Sequence, residues 1–222
     1  MIDVEHHDLR GSGGENPAGS AGFSPPERRA FLWRAPGPVR VASTSVLGGG
    51  IGERHWFLNV QVDSDYPATD PEGDLRGIAA TLGLHGDGVG MLTAKDVRDV
   101  ASAEDHGVEV TATVGLGWPT WAAAPDEPVV APTPGTVNIF VVVPVPLSDA
   151  ALVNAVATAT EAKVQALLDA GVRATGTASD AVCVACPVGG AEPERYGGPR
   201  SLWGARIARA VHRAVLDGAR AS

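Results

Sequence analysis

The sequence has few aromatic residues, few basic residues and almost no cysteine. Aromatic side chains make up 5% of its 222 residues, whereas 44% are hydrophobic, enough to build a sizeable core. Lysine and arginine number 17 against 26 acidic residues, which gives a formal net charge of −9. Because proteins bind the phosphates of nucleic acids through basic patches, this charge argues against a nucleic-acid partner. The two cysteines agree with a reducing compartment.

No hydrophobic run in the sequence is long enough to cross a membrane. The longest, Val137–Leu147, contains two prolines and falls short of the roughly 18 residues that a membrane span requires. The segment Met1–Arg10 is acidic and contains histidine, and it lacks the apolar core of a secretory signal. The sequence therefore predicts a soluble, cytoplasmic protein that does not bind a membrane.

Several catalytic and metal-binding signatures are missing. The sequence contains no GxSxG elbow, no GK[ST] phosphate loop and no HExxH or similar histidine spacing. Cys183 and Cys186 form a CxxC pair, but they lie in a strand-like run, where residues three apart face opposite sides of a sheet. No second cysteine pair completes a tetrahedral zinc site, so both are predicted to be core residues and no metal site is expected.

The length and the hydrophobic pattern predict a single α+β domain. Residues 1–24 show no periodicity and are predicted to form a flexible tail, which leaves residues 25–222 for the domain. Strands and helices interleave without a strict βαβ rhythm, which favours a mixed β-sheet, or two sheets, covered by helices in a layered sandwich. The predicted strands are Val39–Val46, Trp56–Val62, Val89–Thr93, Val108–Val114, Thr136–Val145 and Asp180–Ala185. The predicted helices are Asp70–Leu82, Ala94–Ala103, Ser148–Ala170 and Leu202–Leu216.

The predicted helix Ser148–Ala170 carries a lysine where a hydrophobic residue is expected. Ser148 is a typical N-cap, and Gly171 is positioned to end the helix. Apolar residues at helical spacing form one stripe along the helix, and Lys163 lies at the centre of that stripe. An ammonium group there must reach solvent, pair with a carboxylate or lose its proton. Asp180 ends the glycine-rich turn after the helix, so we expect it to pair with Lys163.

Polar residues near the ends of the predicted strands indicate the floor of a pocket. Asn138 is an amide within an apolar strand, where it needs fixed hydrogen-bond partners. It is interpreted either as a structural tie or as a donor to an oxyanion. Threonines recur beside glycines in several turns, and together they favour a polar pocket over surface positions. The threonines predicted to take part are Thr111, Thr113, Thr136, Thr175 and Thr177.

The run of three glycines, Gly48, Gly49 and Gly50, has two interpretations. It is either a tight turn between two strands or a cradle that lets a ligand approach the backbone. Neither a GK[ST] sequence nor a helix follows directly, so the run does not match a phosphate loop or a dinucleotide fingerprint.

Eight short segments follow one another in a distinctive order, from about Arg40 to the last predicted helix. They are STSVLGGG (43–50), FLNVQV (57–62), VGMLTA (89–94), TATVGL (111–116), PGTVN (134–138), TATEAKVQA (158–166), ATGTASD (174–180) and the stretch 196–204. No single segment is specific. The ordered series resembles the adenosylcobinamide amidohydrolases of corrinoid salvage.

This resemblance implies hydrolysis of the amide that joins aminopropanol to a propionate arm of the corrin ring, which gives adenosylcobyric acid and aminopropanol. The corrinoid substrate carries its own cobalt, so no protein cofactor is expected. The resemblance adds Asn59 and Thr93 to the substrate-binding residues, and it favours the run Gly48–Gly50 as a surface for a flat macrocycle. It also places Glu161 among the catalytic candidates, although Glu161 lies about 180° around the helix from the apolar stripe.

The sequence leaves several alternatives open. In one mechanism Lys163 takes the proton of the Thr177 hydroxyl, and in another Asp180 or Glu161 activates a water molecule. A corrinoid-binding or handover protein without catalysis also fits the pattern, as does a hydrolase of another small amide. The proline-rich segment 119–134 either covers the pocket or connects two strands, and association into a homo-oligomer is open.

Overall fold

The computed structural model describes residues 2–9, 28–67, 69–125 and 135–222. The strands within these ranges are β1 Glu5–Leu9, β2 Arg28–Ser43, β3 Gly50–Gln61, β4 Val89–Thr93, β5 Val100–Asp105, β6 Val108–Val114, β7 Val137–Val142 and β8 Ala181–Pro187. The helices are α1 Pro71–Thr81, α2 Asp149–Asp169 and α3 Leu202–Arg220. The strands form one mixed sheet in the order β4-β3-β2-β8-β7-β6-β5, and β1 pairs with β2.

Strand β2 is long because it belongs to both halves of the sheet. Its first part pairs with β1 and β3, whereas Val39–Ser43 pairs with β3 and β8. The register shifts between Arg34 and Val39, where Pro36 and Pro38 have no N–H to donate to a neighbouring strand. Only the β3–β4 and β7–β8 pairs are parallel, so the described sheet is predominantly antiparallel.

The sheet folds back so that its two halves face each other. Strands β3 and β7 are three places apart in the strand order, which is about 14 Å in a flat sheet. Yet Phe57 on β3 and Phe140 on β7 stack with ring centroids 4.2 Å apart and planes at 9°. These rings belong to an inner core that also contains Phe31, Trp33 and Met91.

Helices cover the two outer faces of the folded sheet. On one side α2 and α3 pack on β6, β7 and β8, and the core there includes Ile139, Val182 and Ile207. On the other side α1 packs through Leu75 on Leu32 and Leu58. This arrangement of helices, two sheet halves and helices confirms the predicted α+β layered sandwich.

The helix ends follow the predicted capping residues. The Asp70 side chain accepts a hydrogen bond from the Gly73 N–H at the start of α1, and Ser148 accepts one from the Ala151 N–H at the start of α2. Pro71 occupies the first turn of α1, where its missing N–H costs nothing. Among the described helices, none is long and apolar enough to span a membrane.

The helix predicted over Ala94–Ala103 is wrong. The Asp96 side chain instead accepts a hydrogen bond from the Arg98 N–H and forms an ion pair with the Arg98 side chain, so this segment begins as a turn. Such local side-chain bonds compete with helix formation. The chain then enters β5, which pairs with β6 across the two-residue turn His106–Gly107. Both turn residues have positive φ, 47° and 88°, which is typical of a type I′ hairpin.

Two further boundaries differ from the prediction. Glu5–Leu9 forms β1 on the edge of β2, so the start of the predicted tail 1–24 is an ordered strand, whereas residues 10–27 lie outside the described residues. Strands β2 and β3 are both longer than predicted. Strand β2 already begins at Arg28, and β3 begins at Gly50 within the glycine run.

Candidate active site

Lys163 lies on the buried side of α2, and it is paired with Asp180 as predicted. Only 6% of the lysine is exposed, and its neighbours on that side of the helix include Ala159, Ala166 and Leu167. Its Nζ donates a 2.5 Å hydrogen bond to Asp180 Oδ2, and the side chains of this ion pair are 7% and 10% exposed. The carboxylate thus supplies the countercharge that an ammonium group needs inside a protein.

Asp180 accepts four hydrogen bonds, which fix the orientation of its carboxylate. Besides Lys163, the donors are the Thr177 N–H at 3.1 Å, the Val137 N–H at 2.9 Å and the Thr177 hydroxyl at 2.5 Å. The hydroxyl of Thr177 therefore donates to Asp180 and not to Lys163. The mechanism in which Lys163 takes the Thr177 proton directly does not fit this geometry.

A glycine allows the turn after α2 to pass close to the ion pair. A Cβ atom on Gly176 would lie 2.1 Å from Asp180 Oδ2 and 2.6 Å from Lys163 Nζ. The same turn is held from outside by Thr120, whose N–H donates to the Gly176 carbonyl at 2.8 Å. Thr175 donates to the Thr120 carbonyl and accepts from the Ala122 N–H. Thr175 therefore links the segment around Thr120 and Ala122 to the turn after α2. It does not line the cavity beside Asp180.

A cavity of about 470 Å³ opens beside Asp180. This volume lies in the range of small-molecule sites. The polar part of its wall includes Thr93, Thr136, Asn138, Ser179 and Asp180, and the apolar part includes Val46, Met91 and Leu92. Of the ion pair and Thr177, only Asp180 lines this cavity. Lys163 and Thr177 hold the carboxylate from behind.

Ser179 is a cavity residue that sequence reasoning missed. Its hydroxyl lies 2.8 Å from the hydroxyl of Thr136, and both side chains line the cavity. One of the two hydroxyl hydrogens is used within the pair, so the other is free to point at a ligand. The signal was present in the sequence, because Ser179 directly precedes Asp180 in the ATGTASD segment.

Asn138 takes part in a chain of buried hydrogen bonds between the two sheet halves. Its Nδ2 donates to Asn59 Oδ1 and to the Leu92 carbonyl, both at 2.9 Å. The Asn59 Nδ2 in turn donates to the Thr113 hydroxyl at 3.0 Å. Both amide hydrogens of Asn138 therefore have partners within the protein, which favours the structural tie of the two interpretations. Asn59 and Thr113 belong to the same tie and do not line the cavity.

The glycine run Gly48, Gly49 and Gly50 does not line the described wall of the cavity beside Asp180, and its role as a surface for the macrocycle stays a prediction. Gly48 and Gly49 lie in the connection between β2 and β3, and Gly50 is the first residue of β3. A Cβ atom on Gly49 would lie 2.5 Å from the Ser45 carbonyl oxygen, so the chain passes too close to itself for a larger residue. The run therefore makes a tight connection between β2 and β3. Gly48 also lines a second cavity, of about 380 Å³.

The last two predicted residues lie in different places. Thr93 lines the cavity beside Asp180, and its hydroxyl accepts a hydrogen bond from the Lys95 N–H. Glu161 is exposed on the outer side of α2, so the structure does not bring it to the ion pair.

The two cysteines are core residues, as predicted. Cys183 lies in the inner core and Cys186 in the core beneath α2 and α3, so they face opposite sides of β8. Burial raises the pKa of the Cys183 thiol to about 12, which disfavours the reactive thiolate. Within the described ranges, no group of three histidine, cysteine or acidic residues is arranged as metal ligands.

Comparison with known proteins places the chain in an enzyme family. The sequence profile described as adenosylcobinamide amidohydrolase matches residues 19–222. The adenosylcobinamide amidohydrolase of Methanosarcina mazei is 31% identical over 190 residues, which cover 82% of this chain and 90% of that protein. The protein of the same name from Halobacterium salinarum is 36% identical over 189 residues, which cover 82% and 80%. The chain therefore belongs to the adenosylcobinamide amidohydrolase family.

Two solved structures are also similar in outline. A protein from Pyrococcus horikoshii gives a TM-score of 0.49 at 13% identity, covering 97% of this chain and 83% of that one. A Burkholderia sp. beta-aminopeptidase gives 0.44 at 12% identity, covering 86% and 78%.

Proposed function

We propose that this protein hydrolyses the amide between aminopropanol and the propionate arm of the corrin ring in adenosylcobinamide. The products are adenosylcobyric acid and aminopropanol, and the reaction returns a scavenged corrinoid to an intermediate of cobalamin synthesis. The observation that carries the proposal is Asp180, a carboxylate fixed by four hydrogen bonds in the wall of a cavity. Membership of the family supplies the substrate class.

The volume of the cavity suits one side arm of a corrinoid and not the whole macrocycle. Its volume of about 470 Å³ is in the range of sites for small ligands. The cavity is also lined by Val46, which is 47% exposed, and by Tyr66. These side chains give the corrin ring an apolar surface to contact. In the proposed complex the arm enters toward Asp180, while the ring and its cobalt stay outside. The protein then requires no cofactor of its own.

Asp180 is the proposed general base for a water molecule, which takes the place on Oδ1 that the Thr177 hydroxyl occupies in this structure. As the water oxygen bonds to the amide carbon, Asp180 accepts one water proton and passes it to the departing nitrogen when the C–N bond breaks. Lys163 and Thr177 are positioning residues in this reaction, because they hold the carboxylate but do not line the cavity. The hydroxyl pair of Ser179 and Thr136 donates a hydrogen bond to the carbonyl oxygen as negative charge develops there.

The test is the release of aminopropanol from adenosylcobinamide by the purified protein, followed by mass spectrometry. Asp180→Asn is expected to lower kcat/KM at least about 100-fold, the usual contribution of a general base. Asp169→Asn is the matched control, since Asp169 is an exposed carboxylate at the end of α2 that bonds to His212. That variant is expected to turn over as the parent does.

The outcomes separate the proposed enzyme from a corrinoid handover protein. A visible absorbance change on adding adenosylcobinamide, without any release of aminopropanol, would identify a binding protein and reject hydrolysis. Equal activity of the Asp180→Asn variant and the parent would instead reject Asp180 as the base.

A further inference from the structure

The orientation of the Asn138 amide is fixed by its neighbours. Nδ2 faces two acceptors, Asn59 Oδ1 and the Leu92 carbonyl. A flipped amide would place Oδ1 against these two oxygens, so the hydrogen bonds themselves determine which atom lies where. Asn59 is held in turn by its bond to the Thr113 hydroxyl. Asn138 Oδ1 takes part in none of these hydrogen bonds.

Asn138 Oδ1 is a buried acceptor without a hydrogen-bond partner among the described residues. The residue is 3% exposed, and it is one of the residues that line the cavity beside Asp180. Nearly all buried polar atoms in proteins have partners, because an unpaired one destabilises the fold. Oδ1 itself is covered in this structure, but it belongs to a residue of the cavity wall, so a ligand that settles against this wall can bring it the donor it lacks.

We infer that Asn138 Oδ1 accepts the N–H of the amide that is cleaved, so that Asn138 selects a secondary amide in one orientation. This inference rests on the proposed function, since it concerns the same cavity. Asn138 acts here as an acceptor from the substrate nitrogen, not as a donor to the carbonyl oxygen. The site then distinguishes an amide from an ester, which carries oxygen in place of N–H.

The position of the hydroxyl pair agrees with this role. Thr136 precedes Asn138 by two residues and lies in the same cavity wall, a separation of roughly 7 Å along an extended chain. A secondary amide presents its carbonyl oxygen and its N–H on opposite sides, and each takes a hydrogen bond of about 2.9 Å. The Ser179–Thr136 pair thus meets the oxygen while Asn138 meets the nitrogen.

The experiment compares adenosylcobinamide with its ester analogue, in which oxygen replaces the amide nitrogen. The ratio of kcat/KM for the two compounds is measured in the parent and in Asn138→Leu. Intrinsic reactivity cancels when the two ratios are compared. We expect the variant to lose preference for the amide by roughly ten- to a hundredfold, which is the effect of one buried hydrogen bond.

Thr111→Val is the matched control. The Thr111 hydroxyl is also buried without a partner among the described residues, but Thr111 does not line the cavity beside Asp180. This variant is expected to keep the amide preference of the parent. An unchanged preference in Asn138→Leu, or an equal loss in Thr111→Val, would overturn the inference.

The two proposals can fail separately. If the parent cleaves neither compound, the proposed function is wrong, and dissociation constants of the two compounds replace kcat/KM in the same comparison. If Asn138→Leu does not fold, Asn138→Ala replaces it, because a water can enter the space and satisfy Asn59 and the Leu92 carbonyl. Should the parent cleave an N-methylated amide as fast as adenosylcobinamide, the N–H contact is excluded without any variant.

Discussion

At the scale of single residues, the pair of Lys163 and Asp180 brings two charges into the core of the molecule. Their side chains are 7% and 10% exposed. Removing two charges from water is unfavourable, and their attraction offsets that cost only when the remaining hydrogen bonds are also made. Here the carboxylate has three further donors, from Thr177 and Val137. The loss of one partner would leave the other charge buried and unpaired.

Lys163→Met is expected to lower the free energy of unfolding by about 3–5 kcal/mol, because it leaves the Asp180 carboxylate without its cation. The double variant Lys163→Met/Asp180→Asn removes both charges and should regain part of that loss. Urea denaturation of the parent, both single variants and the double variant measures the coupling. Additive losses in the double variant would show that the two side chains do not stabilise each other.

The position of Lys163 in the helix was sufficient to predict this ion pair, because a cation in an apolar stripe requires a nearby acid. The role of Asn138 could not be predicted in the same way. An amide in a strand identifies a need for partners, but its partners Asn59 and Leu92 come from other strands. Which of its atoms stays unpaired depends on that tertiary arrangement.

At the scale of the elements, an ion pair joins the hairpin of β5 and β6 to α3. Asp105, the last residue of β5, accepts hydrogen bonds from Arg209 Nη2 at 2.7 Å and Nε at 2.8 Å. The hydrogen bonds from Arg209 lower the pKa of Asp105 below its ordinary value. This contact anchors β5, the strand at one end of the sheet, to a helix of the outer layer.

The stabilising effect of Asp105 should therefore depend on pH. A carboxylate whose pKa is lowered by folding stabilises the protein above the unfolded value of about 3.9, and the effect is lost as the pH falls through the lower folded value. The parent is expected to unfold at higher urea than Asp105→Asn at pH 7, and the difference should narrow below about pH 4. A difference of the same size at pH 7 and pH 3 would contradict this assignment.

The elements themselves were predicted with mixed success. Helix α2 carries its signals locally, in the Ser148 cap, the apolar stripe and Gly171, and the structure confirms it. Strand β5 has no comparable local signal in the sequence. It forms because β6 pairs with it. A helix was predicted over Ala94–Ala103, but pairing with β6 across the His106–Gly107 turn makes Val100–Asp105 a strand.

At the scale of the whole molecule, aromatic stacking between β3 and β7 holds the two sheet halves together. Phe140 is 1% exposed, and its ring contacts both Phe57 and Trp33. The nearby tie of Asn59, Asn138 and Thr113 crosses the same space. Met91 and Leu92 of β4 and Asn138 of β7 line one cavity, so the halves must close before that cavity is complete.

Phe140→Ala is expected to lower the free energy of unfolding by about 3–5 kcal/mol, since a large buried ring leaves a cavity behind. Phe140→Leu should cost less, because it keeps most of the volume. Urea denaturation monitored by tryptophan fluorescence measures both. Equal losses in the two variants would show that the volume of the ring is not what stabilises the inner core.

The folding of the sheet onto itself is the least local property of this protein. The alternation of residues predicted a mixed sheet or two sheets covered by helices, which the structure confirms. It did not predict that one sheet supplies both halves, because this depends on the break in β2 between Arg34 and Val39 and on contacts between distant segments.

Asp180 accepts from the first backbone N–H of β7, the strand on which Asn138 lies, and the same carboxylate is the proposed base. Selection for a well-formed strand and selection for turnover therefore act on one side chain and cannot be separated there. A replacement that abolished the chemistry would also weaken the start of the strand, so the urea midpoint of Asp180→Asn has to be measured beside its turnover. Attempts to change the substrate range of this hydrolase should begin at side chains such as Val46, which lines the cavity, is partly exposed and holds no strand end in place.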